Sequence, residues 1–323
     1  MSRLASVLAV ALVALRAAPA RAEPLDLDLV RLGAPDASVW TALDQNQATP
    51  IPLDGATARS LANDAKRRFA ILSSEMALAL SSPILDPAST TGHAGFDFAA
   101  EGAYEPVHSG AIGGAALGFG TSPWPTVSTP PGSITTTGIH VRKALPWSFE
   151  FGGRLTYLNK SNYFAAQGEA KWALNEGFEH VPDLAIRVAY TRLFGQSQWN
   201  LGSTDVDFMV SKRWGVSAVT SFTPYLAARF TFVDASSERL DFGPARLNPA
   251  SAQPGIQETY AAFPDLRVGL YRTTLGVRMT ASSVSMAFEG TYFGGKSSGA
   301  GNDYPSFKVA SALGCALKFG WEF

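Results

Sequence analysis

Apolar and polar residues alternate along most of the chain after residue 92, and this pattern predicts β-strands. Successive side chains of a strand point to opposite faces. One face of each predicted strand is therefore apolar or aromatic, while the other is small, polar or charged. The alternation recurs at 96–102, 139–142, 149–157, 164–172, 184–191, 205–210, 226–232 and 286–292. The pattern predicts an all-β region over residues 92–323.

The end of the chain has the longest alternation, with apolar and aromatic residues at most odd positions from Phe307 to Phe323. A typical strand has about 5–6 residues, so this length predicts a tilted membrane-crossing strand with an extension. The ending Leu317-Lys-Phe319-Gly-Trp321-Glu-Phe323 resembles the C-terminal assembly signal of Gram-negative outer-membrane proteins. The resemblance implies that its four apolar side chains are read by the barrel-assembly machinery.

Repeated apolar-out, polar-in strands predict an antiparallel transmembrane β-barrel. Its strand count depends on a change of phase, because apolar residues hold even positions at 266–270 and odd positions at 275–279. A β-bulge would re-phase one long strand and give about ten strands. A turn near residues 271–274 would divide it instead, and the count could reach about twelve, also an even number as such barrels require.

The chain starts with the three parts of a secretory signal peptide. Residues 1–3 are positive, residues 4–15 are apolar, and residues 20–22 have the small-x-small form of a cleavage site. The apolar run is shorter than the roughly 20 residues of a membrane-spanning helix, although an uncleaved anchor is the alternative. We expect residues 1–22 to be removed and the mature chain to start at Glu23, with cleavage after Ala20 as the other option.

Residues 23–91 lack the alternation and are predicted to form a periplasmic lead. Asp54 can cap a helix over residues 56–80. Apolar residues recur there at helical spacing: Leu61, Ala65, Phe69, Leu72, Met76 and Leu80. This helix either plugs the barrel or folds against its periplasmic mouth. Its position and the sequence Asp86-Pro87-Ala88 resemble the N-terminal hatch of the long-chain fatty-acid transporters of the outer membrane, which implies a plug.

The lengths of the connections assign the two ends of the barrel, because periplasmic turns are short and extracellular loops are longer. Tight connections at 144–147 and 280–283 are predicted to be periplasmic, and an even strand count then puts both termini in the periplasm. The predicted extracellular loops are 107–133, 195–204, 234–257 and 294–305. The predicted aromatic girdles are Trp147, Trp172, Trp214 and Trp321 at the periplasmic end, and Tyr104, Tyr157, Tyr163, Tyr190 and Tyr292 at the other.

The polar faces carry both signs of charge in similar number. The basic residues predicted to face the lumen are Arg142, Arg154, Lys171, Arg187, Arg229, Arg267, Arg278, Lys308 and Lys318. The acidic ones are Asp97, Glu101, Glu150, Glu169, Asp205, Asp207, Glu289 and Glu322, with His140 among them. These side chains either form a structural ion-pair network or line a path for small polar or amphipathic solutes.

Two functions follow from the predicted barrel. The first is a narrow channel or transporter for small or hydrophobic molecules. The alternative is a structural or surface-interaction barrel without transport, in which the long loops do the work. The Gly- and Pro-rich loop 107–133 would then fold inward as a constriction or contact lipopolysaccharide or a partner. We expect a monomer that contacts outer-membrane lipid and lipopolysaccharide.

Composition excludes several other classes. Charged residues make up 16% of the chain, below the roughly 25% of an average soluble domain. Without the signal peptide, 23 basic residues face 27 acidic ones, so no basic excess favours nucleic acid. The single cysteine, Cys315, excludes an internal disulfide.

Enzyme motifs are also missing from the sequence. It contains neither G-x-S-x-G nor H-E-x-x-H, and its four histidines show no catalytic or metal-binding spacing. We therefore expect no enzymatic activity, metal or cofactor.

Overall fold

In the computed structural model, ten strands close into an antiparallel barrel. The structure describes residues 23–45, 52–81, 83–93, 95–115, 117–127, 129–217, 219–244, 259–298 and 303–323, so the predicted signal peptide lies outside the described residues. The barrel strands are β1 Phe96–Pro106, β2 Ser133–Leu145, β3 Phe149–Leu158, β4 Phe164–Asn175, β5 Asp183–Phe194, β6 Trp199–Ser211, β7 Thr220–Ser237, β8 Leu266–Ala281, β9 Val284–Phe293 and β10 Ala312–Glu322.

Each strand pairs with the next along the chain, and β10 pairs with β1 from Asp97↔Glu322 to Tyr104↔Cys315. The sheet therefore has no free edge, which satisfies the backbone groups of every strand and suits a lipid environment. The prediction of an antiparallel barrel of about ten strands is confirmed.

The phase change in β8 is neither a bulge nor a turn. The strand pairs with β7 without interruption from Leu266↔Ala235 to Ala281↔Thr220. Its even positions face inward throughout, and the inward residues change from apolar at Leu266 to charged at Arg278. Arg267 therefore points outward, with its side chain 81% exposed and paired with Asp234, and its predicted place in the lumen is wrong.

The C-terminal alternation spans two separate elements. Odd positions are buried in the first and exposed in the second. Phe307–Val309 pairs with Lys296–Ser298 in a separate hairpin, and β10 starts only at Ala312. Phe307 and Val309 are buried while Lys308 is exposed, because this hairpin packs its apolar side inward against the N-terminal helix. The predicted lumen position of Lys308 is therefore wrong.

The connections divide the barrel into two ends, which we name the turn end and the loop end. The turn end has the connections 146–148, 176–182, 212–219 and 282–283, and the loop end has 107–132, 159–163, 195–198, 238–265 and 294–311. The two tight turns are confirmed. The predicted long loop 195–204 is wrong, because β6 starts at Trp199 and only four residues connect it to β5.

The outer surface of the barrel is a belt of exposed apolar side chains, among them Phe151, Leu155, Val188, Phe230, Leu275, Phe288 and Leu317. The four tryptophans predicted at the turn end are exposed, as are Tyr104, Tyr157, Tyr190 and Tyr292 toward the loop end. Tyr163 differs: it is 4% exposed and points into the molecule, where its hydroxyl accepts a hydrogen bond from Leu27 N at 2.7 Å. Its predicted girdle position is wrong.

Two helices precede the barrel, α1 (Ala37–Gln45) and α2 (Gly55–Leu80), after a short 3₁₀ turn over Leu29–Leu32. The predicted cap is present, since Asp54 accepts a hydrogen bond from Thr57 N at 2.6 Å. All residues from 68 to 81 are buried, so α2 is surrounded on every side. It contacts β1 and β2 on one side of the barrel and β6, β7 and β8 on the other, which places it in the lumen.

Residues 68–81 and 83–91 lie inside the barrel, so residues 23–91 do not form a separate periplasmic lead. Leu25 N donates to Lys160 O in the loop-end connection 159–163, whereas Thr91 N donates to Glu150 near the turn end. The described chain starts at the loop end and descends through the lumen to β1. Glu23 and Phe323 thus lie at opposite ends, and the prediction that both termini share one side is wrong.

No helix among the described residues is long and apolar enough to cross a membrane.

Candidate functional site

The lumen has two tiers, and α2 fills the one near the loop end. This apolar tier is formed by inward residues of the strands at their loop-end halves: Ile134, Leu158, Leu193, Leu201, Val233, Leu266, Leu270 and Phe293. Against them, Phe69 of α2 stacks on Phe263 at a ring-centroid distance of 4.5 Å and contacts Trp199 at 6.2 Å. The wall is apolar here because it packs against a helix and not against water.

Loop 107–132 folds inward over α2. Glu75, buried on α2, accepts hydrogen bonds from Trp124 Nε1 at 2.7 Å and from His108 N at 3.1 Å. Arg68, also buried, donates to Ile112 O at 3.0 Å and to Gly120 O at 2.9 Å. The loop thus supplies hydrogen-bond partners for buried polar side chains of α2. Within the described part of the chain, it covers the loop-end mouth of the barrel.

The N-terminal residues complete this closure. Leu27 forms a β-bridge with Thr126, and Leu29 N donates to Gln198 Oε1 at 2.8 Å. Trp40 of α1 packs edge-on against Phe119 at 5.1 Å. We call residues 23–45 together with loop 107–132 the loop-end cap.

A second closure lies beside the cap at the loop end. The Tyr304 hydroxyl donates to Pro264 O at 2.5 Å, and burial raises the pKa of Tyr304. The loops 238–265 and 294–311 are therefore tied to each other.

The charged tier starts where α2 ends. Ser81 Oγ donates to Asp205 Oδ2 at 2.6 Å and accepts a hydrogen bond from Arg229 Nη1 at 3.2 Å. It also accepts one from Arg272, which in turn donates to Leu78 O at 2.9 Å. The end of the helix is thus held by side chains of β6, β7 and β8. Arg272 was not predicted, because it lies in the stretch of β8 where the phase was misinterpreted.

Residues 83–91 pass along the lumen without secondary structure, and barrel side chains accept hydrogen bonds from their backbone N–H groups. Glu289 accepts from Ile84 N at 2.9 Å and from Leu85 N at 2.7 Å. Ser211 Oγ accepts from Ala88 N at 3.0 Å, and Glu176 accepts from Thr90 N at 2.6 Å. A buried segment without secondary structure needs such partners, and here the barrel provides them.

Asp86 is the ionic centre of this segment. It is 3% exposed, and its carboxylate contacts Arg142, Lys171 and Arg278 from three different strands. The Arg278 Nη1 to Asp86 Oδ1 distance is 2.6 Å. Glu150 accepts from Arg142 Nη1 at 2.9 Å, and it also holds Thr91 N.

A second chain of charges crosses the wall beside it. His140 lies 3.0 Å from Glu101 through Nδ1 and 2.9 Å from Glu169 through Nε2. Arg154 pairs with Glu101 at 2.7 Å, and Arg187 pairs with Glu169 at 3.1 Å. Asp207 continues the chain, accepting from Arg187 at 2.8 Å and from Arg229. All of these side chains are buried, and each charged one has an opposite charge within ion-pair distance.

The structure thus brings most of the predicted lumen residues together. The inward ones are His140, Arg142, Glu150, Arg154, Glu169, Lys171, Arg187, Asp205, Asp207, Arg229, Arg278, Glu289, Lys318, Asp97 and Glu101, and Glu322 joins them at the turn end, 3.4 Å from Arg278. Arg267 and Lys308 are not part of the lumen. Sequence reasoning missed the lumen partners Ser81 and Asp86, which only the position of the segment reveals.

The described residues leave small cavities beside α2. Three cavities along the helix and the β10–β1–β2 wall have volumes of about 110, 20 and 10 Å³, which is room for a few waters. The largest lies between Glu75 and Glu105, near the loop end. Among the described residues, no cluster of three or more His, Cys, Asp or Glu side chains is arranged to hold a metal ion.

The chain shows low similarity to solved structures of outer-membrane proteins. Ail, the attachment invasion locus protein of Yersinia pestis, is 10% identical, and the match covers 72% of this chain and 100% of that one with a TM-score of 0.26. OmpT, an outer membrane protein of Vibrio cholerae, is 12% identical, and the match covers 59% of this chain and 60% of that one with a TM-score of 0.26. The translocator domain of autotransporter NalP from Neisseria meningitidis is 9% identical, and the match covers 81% of this chain and 98% of that one with a TM-score of 0.35.

The fold is that of an outer-membrane β-barrel. The closed ten-stranded sheet and its exposed apolar belt carry this assignment. No family model and no curated protein matches the chain.

Proposed function

We propose that this chain is a sealed outer-membrane barrel that presents its N-terminal residues and long loops at the cell surface and does not conduct solutes. One observation carries the proposal: residues 68–81 and 83–91 run through the lumen toward the turn end, and side chains of the wall are hydrogen-bond partners of this stretch. This is the structural or surface-interaction barrel of the sequence analysis. A narrow channel would require α2 to leave the apolar tier.

The orientation rests on the same physics as the sequence prediction. The exposed apolar belt suits lipid, and the longer connections of such barrels lie outside the cell. With the loop end outside, the loop-end cap is at the cell surface, where lipopolysaccharide or a partner would meet it. The turn end and Phe323 then face the periplasm.

The packing of the cap supports presentation of a fixed surface. The backbone N–H groups of Leu25, Leu27 and Leu29 donate hydrogen bonds to residues of the connections 159–163 and 195–198. Fixed loops lose less conformational entropy on binding than mobile ones. The cap is therefore suited to recognise a surface ligand, in agreement with the expected contact to lipopolysaccharide.

Cysteine labelling in intact cells tests this topology. Arg59 is exposed near the start of α2, at the loop end, and His180 is exposed in the turn-end connection 176–182. Each would be changed to cysteine in a chain with Cys315→Ser, and treated with a membrane-impermeant maleimide. Arg59→Cys should react in intact cells, whereas His180→Cys should react only after the outer membrane is permeabilised. The opposite pattern would show that the barrel is inverted, and no reaction of Arg59→Cys in intact cells would exclude presentation at the surface.

A further inference from the structure

Three cations of the barrel wall converge on one carboxylate that the wall itself does not supply. Arg142 on β2, Lys171 on β4 and Arg278 on β8 all contact Asp86 of the lumen segment. They are 2%, 3% and 7% exposed, respectively. Each is therefore held away from bulk water, where an uncompensated charge is costly.

The charged side chains of the barrel wall around Asp86 do not balance one another. Lys318 joins the three cations through Asp97, so the wall contributes four positive groups. The wall acids within ion-pair distance of these cations are three: Asp97, Glu150 and Glu322. The wall alone thus has one excess positive charge, and Asp86 neutralises it.

The wall also orients the cations without help from Asp86. Arg142 donates from Nε to Asp97 at 3.1 Å and from Nη1 to Glu150 at 2.9 Å. Arg278 lies 3.4 Å from Glu322. Two of the three cationic groups are therefore fixed by the barrel, which is the preorganisation expected of a binding site.

We propose that Arg142, Lys171 and Arg278 form an anion site for one small carboxylate, and that Asp86 is its tethered ligand. The site goes beyond the sealed, surface-presenting barrel, since it would exist in either orientation. The three cations contact a single carboxylate group, so with the Asp86 carboxylate removed the site accepts an anion of the size of formate or acetate. A tethered carboxylate acts at a high effective concentration, so Asp86 excludes free anions while the segment is in place.

Chemical rescue of Asp86→Ala tests the site. The full-length mature chain would be refolded in detergent, and its unfolding temperature followed by heat-modifiable migration on gels. Asp86→Ala should lower this temperature by roughly 10 °C. Sodium acetate should restore at least half of the loss, with a response that saturates.

Sodium gluconate has the same carboxylate on a bulkier chain, and at equal ionic strength it should restore nothing. The matched control Asp234→Ala removes an exposed carboxylate and should respond to neither salt.

A double variant guards against a simple loss of folding. In Asp86→Ala/Lys171→Gln the excess positive charge is gone, so the chain should recover stability without acetate and lose the acetate response. If Asp86→Ala alone does not fold in plain buffer, the yield of folded protein in acetate against gluconate is the readout, and acetate alone should raise it. Equal effects of the two salts would overturn the proposal. So would an acetate response that persists in the double variant, or an Asp86→Ala chain as stable as the parent.

Discussion

Glu289 shows at the scale of one residue how the barrel holds a segment that has no secondary structure. It is 1% exposed on β9, and it accepts hydrogen bonds from two consecutive backbone N–H groups and from the Tyr225 hydroxyl at 2.9 Å. Leu85 has a φ of 50°, which a leucine rarely adopts. The Leu85 N–H bond to Glu289 therefore stabilises a backbone conformation that would otherwise be unfavourable.

Glu289→Ala should destabilise the barrel by about 3–5 kcal/mol, since it leaves buried donors without acceptors. Urea unfolding followed by tryptophan fluorescence measures this. The control Glu238→Ala removes an exposed carboxylate at the loop end and should change stability by less than about 0.5 kcal/mol. Equal, small effects of both substitutions would show that Glu289 does not hold the lumen segment.

Individual lumen residues such as Arg142, Arg187 and Asp207 were predictable, because the period of two fixes which face a side chain takes once one face is known to be apolar. Their partner Asp86 was not. Its contact with Arg278 joins positions separated by 192 residues, and no local pattern indicates that an extended segment returns through the barrel.

At the scale of elements, α2 was predicted from its spacing and its Asp54 cap, but its place was not. A helix whose apolar residues form one stripe can lie on a surface. Here, however, the polar residues of its second half, such as Ser73, Ser74 and Glu75, are buried as well. Ser74 Oγ donates to Ala70 O within α2 at 2.7 Å, and Glu75 accepts hydrogen bonds from loop 107–132.

Phe69→Ala should lower stability by about 3–5 kcal/mol, because it opens a cavity in the apolar tier. Phe288→Ala is a matched control: Phe288 is 50% exposed on the outer belt, and its loss should cost much less in the same detergent. Differential scanning calorimetry of both variants gives the comparison. A Phe69→Ala chain no less stable than Phe288→Ala would mean that α2 is not packed in the lumen.

The last strand, β10, and the terminal Phe323 hold the residues predicted to form the assembly signal. Phe323 stacks on Phe96 at 5.9 Å, and its backbone N donates to Phe96 O at 2.9 Å. Replacing both Trp321 and Phe323 with aspartate should leave the protein unassembled in the periplasm. Leu313→Asp on the same outward face, 66% exposed, is the control for added charge and should assemble better. If the double variant reached the outer membrane folded and heat-modifiable, the predicted assembly signal would be refuted.

The lumen positions predicted for Arg267 in β8 and for Lys308 before β10 are wrong for the same physical reason. The rule that polar residues face the lumen fails in the apolar tier, where the inner wall meets a helix. Leu266, Phe307 and Val309 are buried there, so the neighbouring Arg267 and Lys308 point outward. The sequence pattern could not reveal this change without the position of α2.

At the scale of the whole molecule, the chain fills its own barrel. The apolar tier packs around α2, and the charged tier neutralises Asp86 and hydrogen-bonds Ser81 and residues 83–91. A ten-stranded barrel lies between the side-chain-filled barrels of about 8 strands and the open porins of about 16. Here α2 and residues 83–91 fill the part of the lumen that the side chains of ten strands would leave open.

Single-channel recording of the refolded mature chain in a planar bilayer tests whether the lumen is sealed. A sealed lumen gives no discrete conductance in plain buffer. Conductance steps should appear only when moderate urea loosens residues 83–91, and these steps also show that the protein has inserted. Stable discrete steps in plain buffer, from protein that remains heat-modifiable, would show that this barrel is an open channel.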